Sequence, residues 1–433
     1  MRGTIGRVRA HLPDLTPLRE SPAYRRLYAG YLLTNAGSQL AVVAIGLQVY
    51  ELTGSTAAVG LVGLFALVPL VVLGLYGGSL ADHHDRRLVA IGAGLVASVT
   101  SVICAVQAWL GNADVWVLYV IVALWSGAAG VASPARSSIY PRILPAEQLP
   151  AANALGVIAM NTSMTLGPLL AGVLVDNGGF RAAYSVDAVL TLGALWGLWR
   201  LPPIPPEVEG GDEPTGRAGV RSVIDGFAFL RTAPNVRMTF LADIAAMVLA
   251  QPRVIFPAAG AVILGGGAST VGALYAATAV GGMLAMVFSG RLGAVRRQGL
   301  AVLVSILGWA VGVAGLGVAL LASGGVLTRQ QALWAALFAM AVAGAADAVS
   351  AVFRMTILQS AAPDRMRGRL QGVFIVVVAG GPRLGELLGG AVAERIGEGE
   401  MAVFGGIACV VAILVLARTQ RGFLRYDARH PTP

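Results

Sequence analysis

A chain of 433 residues that is 56% hydrophobic and only 12% charged, with a mean hydropathy of +0.75, is too apolar to be a water-soluble domain, in which about a quarter of residues are charged. The excess of basic residues behind the net charge of +9 is all arginine, and the absence of lysine excludes the phosphate-cradling loop of an ATP-driven pump, which requires one. Cys104 and Cys409 lie far apart in apolar runs and read as small core residues, which leaves no disulfide or metal framework.

The first thirty residues hold Arg2, Arg7, Arg9, Arg19, Arg25 and Arg26 before any apolar run, which is not the pattern of a cleavable signal peptide. Apolar runs then follow near 27–50, 57–80, 88–110, 115–138, 151–175 and 182–201. A stretch rich in Pro, Gly and acid, PPIPPEVEGGDEPTGRAGVR, interrupts them and reads as a linker. Further runs lie near 238–262, 270–290, 299–322, 331–353, 370–393 and 400–417. Each is long enough to cross a hydrocarbon core of about 30 Å as a helix, the form that satisfies its own backbone in lipid. The expectation is an all-α membrane protein with twelve transmembrane helices: an N-tail at 1–26, six-helix bundles at 27–201 and 238–417, a linker at 202–237 and a C-tail at 418–433.

Arginine placement orients the chain, because positive charge near span ends collects on the cytoplasmic side. All basic residues except Arg181, Arg253, Arg329, Arg383 and Arg395 fall in segments that are cytoplasmic if both termini are; Arg136 and Arg354 are among those assigned to that side. The net charge is therefore an orientation signal, expected in a bacterial inner membrane, and gives no reason to invoke a nucleic-acid partner.

The two halves match each other in register. VGLVGLFALVPLVVLGLYGGSLADHHDRR at 59–87 lies over VGALYAATAVGGMLAMVFSGRLGAVRRQG at 271–299, Arg136 and Pro145 over Arg354 and Pro363, and Gly167-Pro168 over Gly381-Pro382. Parallel six-helix repeats with a substrate site between them are a transporter architecture.

Gly78-Ser79-Leu80-Ala81-Asp82-His83-His84-Asp85-Arg86-Arg87 resembles the loop between spans two and three of the major facilitator superfamily, with Asp85 in place of a glycine and His83 in place of an arginine. Ala154, Ser163, Gly167, Pro168, Ala171 and Gly172 are similar to that superfamily's antiporter motif, with Ser163 and Ala171 replacing glycines. SPAYRRLYAGYLLTNAG, PRVIFPAAGA and DAVSAVFRMTILQSAAPDRMRGRLQGV resemble the enterobactin-exporter branch. The resemblance implies proton-driven export of a siderophore or related small molecule by a monomer without cofactor, its partners being substrate, protons and the bilayer. On the same logic Asp82 approaches the start of span eleven, and Asp82, Arg86 and Arg136 form a conformational latch; the alternative is that Asp85, Arg86 and Arg87 simply anchor the turn in water and set orientation. His83-His84 lacks further ligands at metal spacing and reads as solvated.

Ionisable residues inside spans are costly and functional by default. Asp187, Asp243, Asp347 and Glu386 are the proton-coupling candidates, and Arg383 can pair with Glu386 one turn away. Arg253, beside Gln251 and Pro252, is the foremost candidate to meet an anionic substrate, with Arg383, Asn35, Gln39 and Asn161 as further lining residues or as ordinary helix-packing groups. A membrane enzyme would need a nucleophile with its base or a metal constellation, and the scattered carboxylates supply neither. The alternatives to siderophore export are a broad-specificity drug exporter and a non-transporting receptor of the same fold. An anionic catecholate would want Arg253 and Arg383 exposed; lipophilic cations would want Asp243, Asp347 or Glu386.

Overall fold

The helices begin where short polar side chains close their open backbone donors. Ser21 Oγ accepts from Tyr24 N at 3.1 Å, Ser55 Oγ from Ala58 N at 3.2 Å, Asp114 Oδ1 from Trp116 N at 2.9 Å, and Thr328 forms a reciprocal capping box with Gln331. The computed structural model describes residues 14–204, 220–287, 292, 295–430 and 432, without the side chains at 75, 77–79, 81–83, 220–223, 364, 365, 367–369, 371, 372 and 375.

Eleven apolar helices among the described residues are long enough to cross a membrane. One of them, Leu149–Trp199, is two helices joined at Gly179, whose φ of 66° is a backbone conformation that glycine adopts without a Cβ penalty. The twelve crossings are α1 Pro22–Thr53, α2 Thr56–His83, α3 Arg86–Trp109, α4 Val115–Ile143, α5 at 149–178, α6 at 180–199, α7 Pro234–Ile263, α8 Gly267–Val287, α9 Gln298–Ala322, α10 Arg329–Ala361, α11 Asp364–Ile396 and α12 Glu398–Thr419. The start of α1 and the end of α12 lie at one face, called here the terminal face; the opposite one is the distal face. Part of the expected linker, 205–219, lies outside the described residues, and its last portion is helical, Val220–Leu230, packed against α11.

Large apolar side chains cover the outside, with Trp109, Trp116 and Trp334 exposed at distal helix ends and Trp196 and Trp199 at the terminal end of α6. This is the aromatic belt of a bilayer-spanning bundle. The interior is stitched by polar pairs: the Gln48 and Gln107 amides exchange hydrogen bonds of 3.2 and 3.1 Å, and the Tyr184 hydroxyl donates to Gln48 Oε1 at 2.7 Å.

Between the halves, α2 packs on α11 and α5 on α8. The two contacts are copies of one another. A Cβ on Gly172 would lie 2.6 Å from the Ala268 carbonyl oxygen, and a Cβ on Gly390 would lie 2.7 Å from that of Thr56. Only glycine permits this approach, and Thr56 stands over Ala268 in the same register that aligns Val59-Gly60 with Val271-Gly272. The repeat read between α2 and α8 is therefore a repeat of packing as well, whereas on α5 and α11 the packing pairs Gly172 with Gly390, one helical turn away from the register that lays Gly167-Pro168 over Gly381-Pro382.

Candidate functional site

Helix α7 does not cross the bilayer unbroken. It runs regularly over Pro234–Ile244, widens to a π-turn over Ala245–Leu249, and breaks at Ala250 before a 3-10 turn at Arg253–Ile255. Pro252 cannot donate to the ladder, and the carbonyl freed at Ala250 accepts from the Trp309 indole nitrogen at 3.1 Å. Irregular backbone at membrane depth is tolerated where it lines a cavity. That is its position here.

A cavity of about 480 Å³ opens beside the break, walled by α7, α10 and α11 and closed on the other half's side by Met160 and Met164 of α5. Asp243, Gln251, Arg253, Asp347 and Arg354 all line it, among Phe240, Met247, Trp309, Met355 and Phe374. Arg354 is at the centre of its charge network: one guanidinium nitrogen contacts Asp243 Oδ1 and another lies 3.5 Å from Asp347 Oδ1. Asp243 is buried, whereas 40% of the Asp347 side chain is exposed to the cavity. Three polar atoms of this wall, Asp243 Oδ2, Gln251 Oε1 and Arg354 Nε, are buried without a hydrogen-bond partner, and Arg253 makes no ion pair among the described residues. Unpartnered groups in a buried wall mark where a ligand can contribute bonds.

Arg354 corrects the sequence reading, which assigned it to the cytoplasmic side as an orientation charge. Its side chain is instead turned into the C-terminal half and paired. The signal was present in its register with Arg136. Arg136 also turns inward, with its guanidinium carbon 4.6 Å from the Tyr31 ring centre, in a second cavity of about 320 Å³ walled by Asn35, Ser38, Trp125 and Thr191. The Asp82 side chain lies outside the described residues, and with it the expected latch. Asp85, assigned to simple loop anchoring, caps α3: its Oδ1 accepts from Arg87 N at 2.8 Å and from Ile204 N at 3.2 Å, tying the turn to the segment after α6. An aspartate just before a helix start is the ordinary cap signal. Arg86 donates its backbone N–H to Ile204 at 3.1 Å, and Arg87 donates from its guanidinium to the Trp199 carbonyl at 2.5 Å.

The remaining candidates scatter. Arg383 donates to Glu386 at 3.1 Å, and this pair sits at the α2–α11 contact, where a Cβ on Gly63 would lie 2.9 Å from Glu386 Oε2. Arg383 also reaches a small void of about 40 Å³ shared with Asp187, Thr100 and Ser101 of the other half. Asp187 is 2% exposed and its Oδ1 has no partner. Asn35 donates to the Tyr31 carbonyl of its own helix at 2.8 Å. Gln39 packs against Gly167 of α5, where an added Cβ would meet it at 2.6 Å. Asn161 is half-buried on α5, and its carbonyl accepts from the Thr165 hydroxyl at 3.0 Å, which also approaches Met283 Sδ of α8 at 3.4 Å.

Against known proteins, residues 13–427 match the family model described as transmembrane secretion effector. The chain is 27% identical over 426 residues to "Enterobactin exporter EntS" of Citrobacter koseri, covering 98% of this chain and 97% of that one. It is 28% identical over 418 residues to the protein of the same name from Escherichia coli, covering 95% of each. Among solved structures, the nucleoside transporter NupG superposes with a TM-score of 0.70 at 14% identity over 94% of this chain and all of that one. A D-xylose-proton symporter does so with a TM-score of 0.69 at 16% identity, covering 91% of this chain and 96% of its own. With its twelve helices in two matching halves, the chain belongs to the transmembrane secretion effector family of the major facilitator superfamily and is a multi-pass membrane transporter.

Proposed function

We propose that this chain is a secondary exporter of a siderophore or related metabolite in the inner membrane, driven by protons moving the other way through alternating access. The terminal face is then cytoplasmic, in keeping with the arginines of its turns. The observation that carries the reading is the cavity beside the α7 break, in which Asp347 faces the space and Arg354 is shared between two carboxylates. The similarity to enterobactin exporters supports the substrate class.

The sign of coupling restricts how substrate is held. A full anion captured by Arg354 would strip Asp243 and Asp347 of their counter-charge and favour protons on them, so anion and proton would bind together and move the same way. Antiport requires the two to compete. A substrate with hydroxyl donors, such as an uncharged catechol, competes if it hydrogen-bonds to Asp347 while its ring lies among Phe240, Trp309, Phe374 and the methionines. Arg253 then supplies a donor to substrate oxygen, and Arg354 holds the carboxylate geometry.

Inside-out vesicles containing the protein should accumulate a catechol siderophore when their lumen is acid. Accumulation that survives collapse of the gradient contradicts proton coupling. The methionine-rich wall favours a second reading, a broad drug exporter, because methionine adapts to many shapes. Resistance to several lipophilic cations, with no change in extracellular siderophore, would select that reading.

A further inference from the structure

At the distal face the halves are joined by hydrogen bonds that repeat the internal symmetry. Asp176, at the end of α5, accepts from Ala268 N at 2.9 Å and Ser269 N at 2.8 Å, the first turn of α8. Glu394, at the end of α11, accepts from Ala57 N at 3.2 Å and from Ser55 Oγ at 2.8 Å, at the start of α2. Ala57 stands over Ser269 in the repeat register, so one design is executed twice with the halves exchanged. In each copy a carboxylate from one half closes open donors at a helix start in the other, where the helix dipole also favours negative charge. The glycine contacts of Gly172 and Gly390 lie directly beneath. The Glu394 side carries two hydroxyl bonds the other copy lacks: that of Ser55, which stands over Gly267, and that of Thr56, which donates to Glu398 of α12 at 2.7 Å.

We propose that Asp176 and Glu394 are a two-point lock that holds the distal gate shut and sets how often the transporter opens to that side. Both bonds cross between the halves, so neither survives when the distal ends separate, and a carboxamide keeps the shape while losing the charge-assisted bond. The inference rests on alternating access but not on the identity of the substrate. Neither residue touches the α7 cavity, so both are positioning residues for the transport cycle.

The test is a distance. In the full chain in lipid nanodiscs, spin labels on cysteines introduced at Ala113 and Val326, in the distal turns after α3 and α9, report the separation of the halves; Cys104 and Cys409 are buried. Wild type should give predominantly the short distance. Asp176→Asn and Glu394→Gln should each raise the long-distance fraction about threefold, and the double variant about tenfold, as for two independent exposed charge contacts. Asp176→Glu and Glu394→Asp should stay close to wild type. An unchanged distribution in the two single variants and the double overturns the lock; if the double variant does not fold, the single variants decide. The measurement requires no substrate, so its failure is separable from failure of the export reading.

Discussion

Arg136 and Arg354 occupy corresponding places on α4 and α10, yet one guanidinium lies over Tyr31 and the other is held by Asp243 and Asp347. The scaffold is duplicated and the chemistry is not. In the N-terminal half the arginine is stabilised by a ring face, an interaction that takes no proton and does not answer to one. In the C-terminal half it is stabilised by groups that titrate. On the proposed reading, two similar helix sets rock about one interface while the carboxylates around Arg354, in one of them, sense the gradient.

The largest effect should come from separating Arg354 from its partners. Arg354→Ala leaves Asp243 buried and unpaired, which costs about 3 to 5 kcal/mol, and thermal unfolding of the purified protein should show it together with loss of transport. Adding Asp243→Ala should recover part of the unfolding temperature; no recovery would mean that the pair is not the cause.

Asp347→Asn comes next. It keeps the shape of the cavity wall but removes a titrating group, so substrate exchange across equal concentrations should persist while accumulation against a gradient disappears. Accumulation at the wild-type level would move coupling elsewhere, with Asp243, Glu386 and Asp187 the remaining candidates.

The same logic predicts less for the N-terminal copy. Arg136→Gln removes a cation–π contact of about 0.5 to 2 kcal/mol, and transport should slow several-fold with its dependence on the pH gradient intact. A variant that transports but no longer follows the gradient would erase the contrast between the halves. The smallest effect is expected from Asp85→Ala, which removes the α3 cap at a cost of about 1 kcal/mol; a slightly lower unfolding temperature with unaltered coupling is the expected result.

Much of this fold was legible because lipid imposes one rule on every span. Length and hydropathy locate the twelve crossings, and Thr56 and Ala268, the partners of the close-packed glycines, stand in the repeat register. The amphipathic helix Val220–Leu230 was hidden by its neighbours, since a short helix after a Pro- and Gly-rich stretch reads as more linker. The site was only half visible. Asp243, Asp347 and Arg253 stand out as charges within apolar runs, and Pro252 marks the break that brings Arg253 to the cavity. Arg354 did not, because an arginine near a span end satisfies the orientation rule whether its side chain points to water or to the core. Only the packing of α10 against α7 decides between them, and that is a long-range property. Asp85 was misread for the reverse reason: its charge drew the explanation to solvent, while its role as a helix cap depends on the backbone.

The central claim is that substrate and proton compete for the carboxylates around Arg354. Proton release on substrate binding tests it most directly, measured with the purified protein in weakly buffered solution as a catechol siderophore is added. The account predicts release by wild type and none by the Asp243→Asn, Asp347→Asn double variant in which binding is retained. Proton uptake by wild type, or undiminished release by the variant, would contradict it.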